Sequence, residues 1–139
     1  FGNQQIVSVA MGQLGNSGGQ KFWSWYGFES RVEWCACFAS WCAEQSGMVA
    51  SGQVLKFSSC AVGASWFQGQ GRWKGKGYTP SAGDFIFFDW NKDGQVDHVG
   101  IVVNVANGRV NTIEGNTSNM VARRSYQFGG IVIVGYGYI

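Results

Sequence analysis

Apolar residues recur at helical spacing in the first half of the chain and at strand spacing in the second. Asn3 stands before Ile6, Val7, Ala10, Met11 and Leu14, a capping residue followed by a one-sided apolar stripe, which predicts a first helix ending near Gly15. The rhythm returns from Trp34 to Ser46 in Cys35, Phe38, Ala39, Trp41, Cys42 and Gln45, with Gly47 where a C-terminal capping glycine belongs. This is the expected central, buried helix. Ser58 or Ser59 is a candidate cap for a third, weaker helix through Phe67. Between these elements, 15–28 and 69–77 are rich in glycine and lack a clear period, which predicts loops.

After Pro80 the period changes. Asp84–Phe88, His98–Val105 and Arg109–Glu114 read as strands, and Asn107-Gly108 between the last two is a two-residue hairpin signal. Met120–Tyr126 and Ile131–Tyr138 complete a set of about five. Helices first and antiparallel strands afterwards is an α+β order, with the N-terminal helices packed on one face of the sheet. No internal repeat is visible, and 139 residues suit one domain spanning 1–139.

The composition narrows the partners. Apolar residues are 45% of the chain and charged residues 13%, opposite to the signature of disorder. Ten basic and eight acidic residues leave a net charge of +2 without a run, so no footprint for nucleic acid exists. No apolar stretch approaches the roughly 20 residues of a membrane span, and the chain starts at Phe1 without a charged start or signal core. It reads as a domain excised from a larger secreted or cell-wall-associated protein, acting as a monomer. Seven tryptophans, five tyrosines and ten phenylalanines serve either a core or a surface for sugars and extended peptides.

Four cysteines add candidate chemistry. Cys35 and Cys42 are seven residues apart on one helix, about 10 Å along its axis and too far to bridge, so only Cys60 is a partner for a disulfide. One histidine and no C-x-x-C pair argue against a zinc site. Cys35 opens the central helix, where the helix dipole and unpaired amides favour a thiolate and also suit an oxyanion. Cys37 and Cys42 read as inert core. His98 is the only histidine, hence the only base with an ordinary pKa near neutrality. Counting back from the Asn107-Gly108 turn brings Glu114 and Asn116 to the His98 end, on one face by period two, as supports for the imidazole. Gly100 beside them leaves room for a neighbouring backbone or substrate.

Glu33-Trp34-Cys35-Ala36-Cys37-Phe38-Ala39-Ser40-Trp41-Cys42, Ala82-Gly83-Asp84-Phe85-Ile86-Phe87-Phe88, Asp97-His98-Val99-Gly100-Ile101-Val102 and Glu114-Gly115-Asn116 follow one another in this order. Together they resemble the signature blocks of the CHAP domain, the cysteine- and histidine-dependent amidohydrolases and peptidases related to the NlpC/P60 group. The resemblance implies a papain-like α+β fold, catalytic roles for Cys35, His98, Glu114 and Asn116, and peptidoglycan as substrate, at a stem peptide or cross-bridge. A non-catalytic wall-binding domain and a cysteine acyltransferase are the alternatives. The chemistry implied requires no cofactor. Some family members bind calcium through acidic residues before the nucleophile, but 23–34 holds only Glu29 and Glu33. A different loop is a calcium candidate: Asp89, Asn91, Asp93, Gly94, Gln95 and Asp97 follow the early spacing of an EF-hand loop, yet Gly100 stands where the bidentate glutamate belongs. The competing reading is a plain Asp-Gly turn.

Overall fold

The computed structural model describes residues 3–139. Helices α1 (Gln4–Met11), α2 (Gln20–Tyr26), α3 (Cys35–Gln45) and α4 (Cys60–Gly69) precede strands β1 (Trp73–Gly75), β2 (Phe85–Phe88), β3 (His98–Ala106), β4 (Arg109–Thr117), β5 (Met120–Gln127) and β6 (Ile133–Gly137). The strands form one antiparallel sheet in the order β1-β6-β2-β3-β4-β5. The fold is the expected α+β arrangement, with one strand more than the periodicity shows. That strand, β1, is three residues long and pairs with β6 inside the segment expected to be loop.

Local chemistry explains the helix ends. Asn3 accepts from the amides of Gln5 and Ile6, and Ser59 accepts from Val62, so α1 and α4 start on side-chain caps. Helix α3 ends at Gln45, and Gly47 has φ +76, the left-handed conformation that its position requires. Helix α2 falls in the glycine-rich segment expected to be loop. No side chain caps it, and its one buried residue is Phe22. Phe22 stacks on Trp34 at 5.6 Å and meets Phe38 edge-on at 5.0 Å. The helix is held by aromatic burial against α3, a tertiary effect that a local pattern does not carry.

The sheet has two apolar faces. Phe85, Phe87, Val99, Ile101 and Ile113 point to the helices and share the main core with α3, whose residues from Cys35 to Ser40 are all buried. The opposite face carries a smaller cluster of Ile86, Phe88, Val102, Val110, Ile133 and Tyr136. By alternation His98 and Gly100 lie on this second face, away from the helices. The helix that begins at Cys35 and the histidine therefore approach from opposite sides, and they meet only where β3 and β4 part. The last β3–β4 pair is Ile101 with Ile113.

Glycine makes the approach of α3 possible. A Cβ built on Gly115 would lie 2.5 Å from Cβ of Phe38 and 3.0 Å from Trp34. Gly115→Ala would therefore push the start of α3 off β4. We expect it to cost about 1–3 kcal/mol of stability, read as a lower urea midpoint at unchanged slope, and to lower turnover further by separating Cys35 from His98.

Candidate active site

Helix α3 begins without a capping side chain. Its N-cap residue is Trp34, which makes no side-chain cap hydrogen bond, so the first-turn amides and the positive end of the dipole are left to whatever lies at Cys35. Trp34 instead pins the helix in place. Its ring is buried, passes Gly19 so closely that a Cβ there would sit 2.1 Å from it, and donates through Nε1 to Asn119 at 3.2 Å.

The register of β3 and β4 places the histidine's partner. A plain hairpin about Asn107-Gly108 would set Glu114 opposite Ile101 and turn it toward the helices. One extra residue, Val103, bulges out of β3 between Val102 and Asn104, so Ile101 pairs with Ile113 instead. Glu114 is thereby turned to the face of His98. It passes over Gly100, where a Cβ would lie 2.6 Å from its Cγ. The room at Gly100 is thus occupied by the glutamate side chain.

His98 Nε2 donates to Glu114 Oε1 at 2.8 Å, while Oε2 accepts from Tyr126 Oη at 2.7 Å and from Thr112 Oγ1 at 2.5 Å. The carboxylate is fully buried, and its neighbours leave it three donors and no solvent. Burial, then the Glu114 charge, pushes the Tyr126 phenol up, so it remains a donor. With Nε2 committed to Glu114, Nδ1 is the ring nitrogen left for Cys35, and the imidazole and the Val99 amide both favour the ionised sulfur. Phe88 and Trp90 wall the ring at 5.7 and 5.9 Å.

The Cys35 sulfur also lies 3.4 Å from that of Cys60, and all four cysteines are free thiols. The hydrogen bond from Cys60 is the strongest influence drawing the Cys35 thiol down to about 5, against burial, with His98 contributing by hydrogen bond and charge. Burial alone would depress the imidazole, but the hydrogen bonds and charges of Cys35 and Glu114 outweigh it and carry His98 up to about 10. Thiolate and imidazolium stabilise each other. Burial pushes Cys37 up to about 11 and Cys42 well above the usual thiol range, which fits the expectation that both are inert.

Of the four expected site residues, Cys35, His98 and Glu114 come together and Asn116 does not reach the ring. Asn116 has φ +58, which breaks the strand alternation that would put it beside Glu114. Its Oδ1 accepts from Arg31 at 2.9 Å and its Nδ2 donates to Glu33 at 3.0 Å, while Arg31 pairs with Glu33 at 3.1 Å. Asn116 therefore ties the segment leading into Trp34 and Cys35 to the end of β4. Sequence reasoning missed Thr112 and Tyr126, and it singled out Cys60 only as a disulfide partner, whereas it is a free thiol beside Cys35. Only Thr112 had a local signal, being two residues from Glu114 on the same strand face.

Cys35, His98 and Glu114 line a cleft of about 320 Å³ bordered by Glu33, Trp90, Asp97, Asn116 and Arg124. A second hollow of about 340 Å³, lined by Asn104, Asn111, Arg123 and neighbours, contains no cysteine or histidine. In the calcium-candidate loop the carboxylates are turned to the loop's own amides. Asp89 accepts from Asp93 and Gly94, Asp93 from Gln95, and Asp97 from Trp90. Among the described residues no group of three or more His, Cys, Asp or Glu is arranged to hold a metal ion.

A family model for the CHAP domain matches residues 13–116. No curated protein matches the chain. Among solved structures the fold is similar to the crystal structure of Ly7917, with a TM-score of 0.60 and 18% identity over 97% of this chain and 61% of that one. The crystal structure of Ly7917 with the hydrolyzing product of MDP gives a TM-score of 0.60 and 19% identity over 96% and 61%. This chain thus spans about three fifths of the length of that protein, and a likeness at such identity shows the fold.

Two outcomes follow from the geometry. Glu114→Gln should lower the imidazole pKa by about one unit or more, since it removes the facing charge; with a single histidine, NMR titration of the ring protons reads this directly. The pH dependence of kcat/KM should be a bell. Activity falls on the acid side as the thiolate protonates near 5, and on the alkaline side as the imidazolium loses its proton near 10.

Proposed function

The chain belongs to the CHAP domain family, and on that premise we propose that it is a peptidoglycan hydrolase, cleaving an amide or peptide bond of the bacterial cell wall through a thioester on Cys35. The observation that carries this reading is the continuous chain from the uncapped start of α3 through Cys35 and His98 to the buried Glu114 carboxylate. The complex of Ly7917 with the hydrolyzing product of MDP supports a wall-derived ligand for this cleft.

The Cys35 thiolate adds to the substrate carbonyl, and the first-turn amides of α3 receive the charge that develops on its oxygen. His98, held by Glu114, passes its proton to the departing amine. It then draws a proton from water, which breaks the thioester and restores the thiolate–imidazolium pair. Nucleophile, acid–base group and orienting carboxylate are all side chains of this chain, so the proposed reaction needs no cofactor. Its substrate places its work outside the cytoplasm, at the wall. No helix among the described residues is long and apolar enough to cross a membrane.

The test is mass spectrometry of muropeptides released from purified walls. Cys35→Ala should lower product formation by about a thousandfold or more, while Cys37→Ala and Cys42→Ala keep most of it. The masses identify the bond, whether within the stem peptide, in a cross-bridge or between muramic acid and alanine. Lysis by folded Cys35→Ala protein would overturn the mechanism, and wall binding without products in the unsubstituted protein would indicate a binding domain.

A further inference from the structure

Beside the Cys35 sulfur lies a second thiol that the proposed reaction does not use. Cys60 is the first residue of α4, and its sulfur is in contact with that of Cys35 at 3.4 Å, well beyond the about 2.05 Å of a disulfide. Its placement is tightly determined. Ser59 caps α4 and fixes where that helix begins, and the segment before it is fastened to α3 by Ser40, whose hydroxyl donates to the Phe57 carbonyl at 2.8 Å and accepts from the Phe57 amide at 2.7 Å. The starts of α3 and α4 are thereby held together at their cysteines.

We propose that Cys60 is a positioning residue for the nucleophile, its S–H donating a hydrogen bond to the Cys35 thiolate and holding that sulfur ionised in line with His98. The inference rests on the reading of Cys35 as nucleophile. Once Cys35 has lost its proton, only Cys60 can supply one to the sulfur–sulfur contact. The Cys60 thiol then adds to the imidazole and the Val99 amide, which also favour the ionised sulfur. Cys60 is suited to remain a thiol, because its bond to Cys35, its burial and the charge of Cys35 all raise its pKa. As a weak donor it yields the sulfur to a substrate carbonyl more readily than a charged group would.

The test is the pH dependence of iodoacetamide alkylation at Cys35, followed by mass of the peptide that carries it, together with kcat and KM on wall fragments. Cys60→Ala should raise the alkylation midpoint by about one to two pH units, as expected for losing a hydrogen bond to a charged group. It should lower kcat about tenfold near neutrality with little change in KM. Cys60→Ser, which retains a donor, should recover at least half of the midpoint shift. Should the alanine variant not fold, Cys60→Val keeps the volume without the donor and should show the same rise. An unchanged midpoint in a folded donor-less variant would overturn this role while leaving Cys35 as nucleophile. Turnover by Cys35→Ala would instead overturn the reaction on which it rests.

Discussion

The buried carboxylate of Glu114 is the constraint around which the site is built. A carboxylate removed from solvent costs several kcal/mol unless hydrogen bonds and an opposite charge compensate it. Here Tyr126 and Thr112 supply two neutral donors, and the imidazole supplies both the third donor and the charge. That requirement fixes His98 in one orientation and keeps a proton on Nε2. It also accounts for residues far from the reacting bond. Val103 must bulge to turn Glu114 to this face, and Gly100 must lack a side chain to let it pass.

The second requirement is that a helix on one face of the sheet reach a histidine on the other. The chain meets it at the end of β3, where the ladder to β4 stops and the Val99 amide is left to the sulfur. Gly115 admits α3 on one side of β4 while Glu114 points to the other, so two adjacent residues serve opposite faces of one strand. Asn116 completes the arrangement by holding Arg31 and Glu33, which sets the path of the chain into Trp34. The Glu-Gly-Asn run is thus one contact to the imidazole, one gap for the helix and one tether for the segment before the nucleophile.

These roles differ in how well the sequence reveals them. The helix from Cys35, its capping glycine and the Asn107-Gly108 turn depend on neighbours within a few residues, and period and capping chemistry read them directly. The position of Glu114 relative to His98 depends on register, and one bulged valine reverses which face it takes. Nothing about Val103 distinguishes it from Val102 or Val105. Asn116 has a left-handed backbone that an unbroken strand pattern does not anticipate. Helix α2 depends on packing between elements that no spacing encodes, and cysteine spacing names Cys60 as a partner without saying that Cys35 is the one it meets.

The four cysteines show how much of the chemistry is environment. Cys37 and Cys42 lie on the same helix as Cys35, with the same side chain and the same burial, yet only Cys35 is surrounded by donors. Burial without donors penalises the thiolate, and burial with them protects it, because a low-dielectric site strengthens each hydrogen bond that is correctly aimed. Cys35 is favoured by a helix start left uncapped by Trp34, by a strand end without a β4 partner at Val99 and by β3 itself at His98. Each of these is a small interruption of regular structure. The fold exposes backbone and side-chain donors at the one point where its helices and the far face of its sheet converge, and the ionised sulfur is the group that satisfies them.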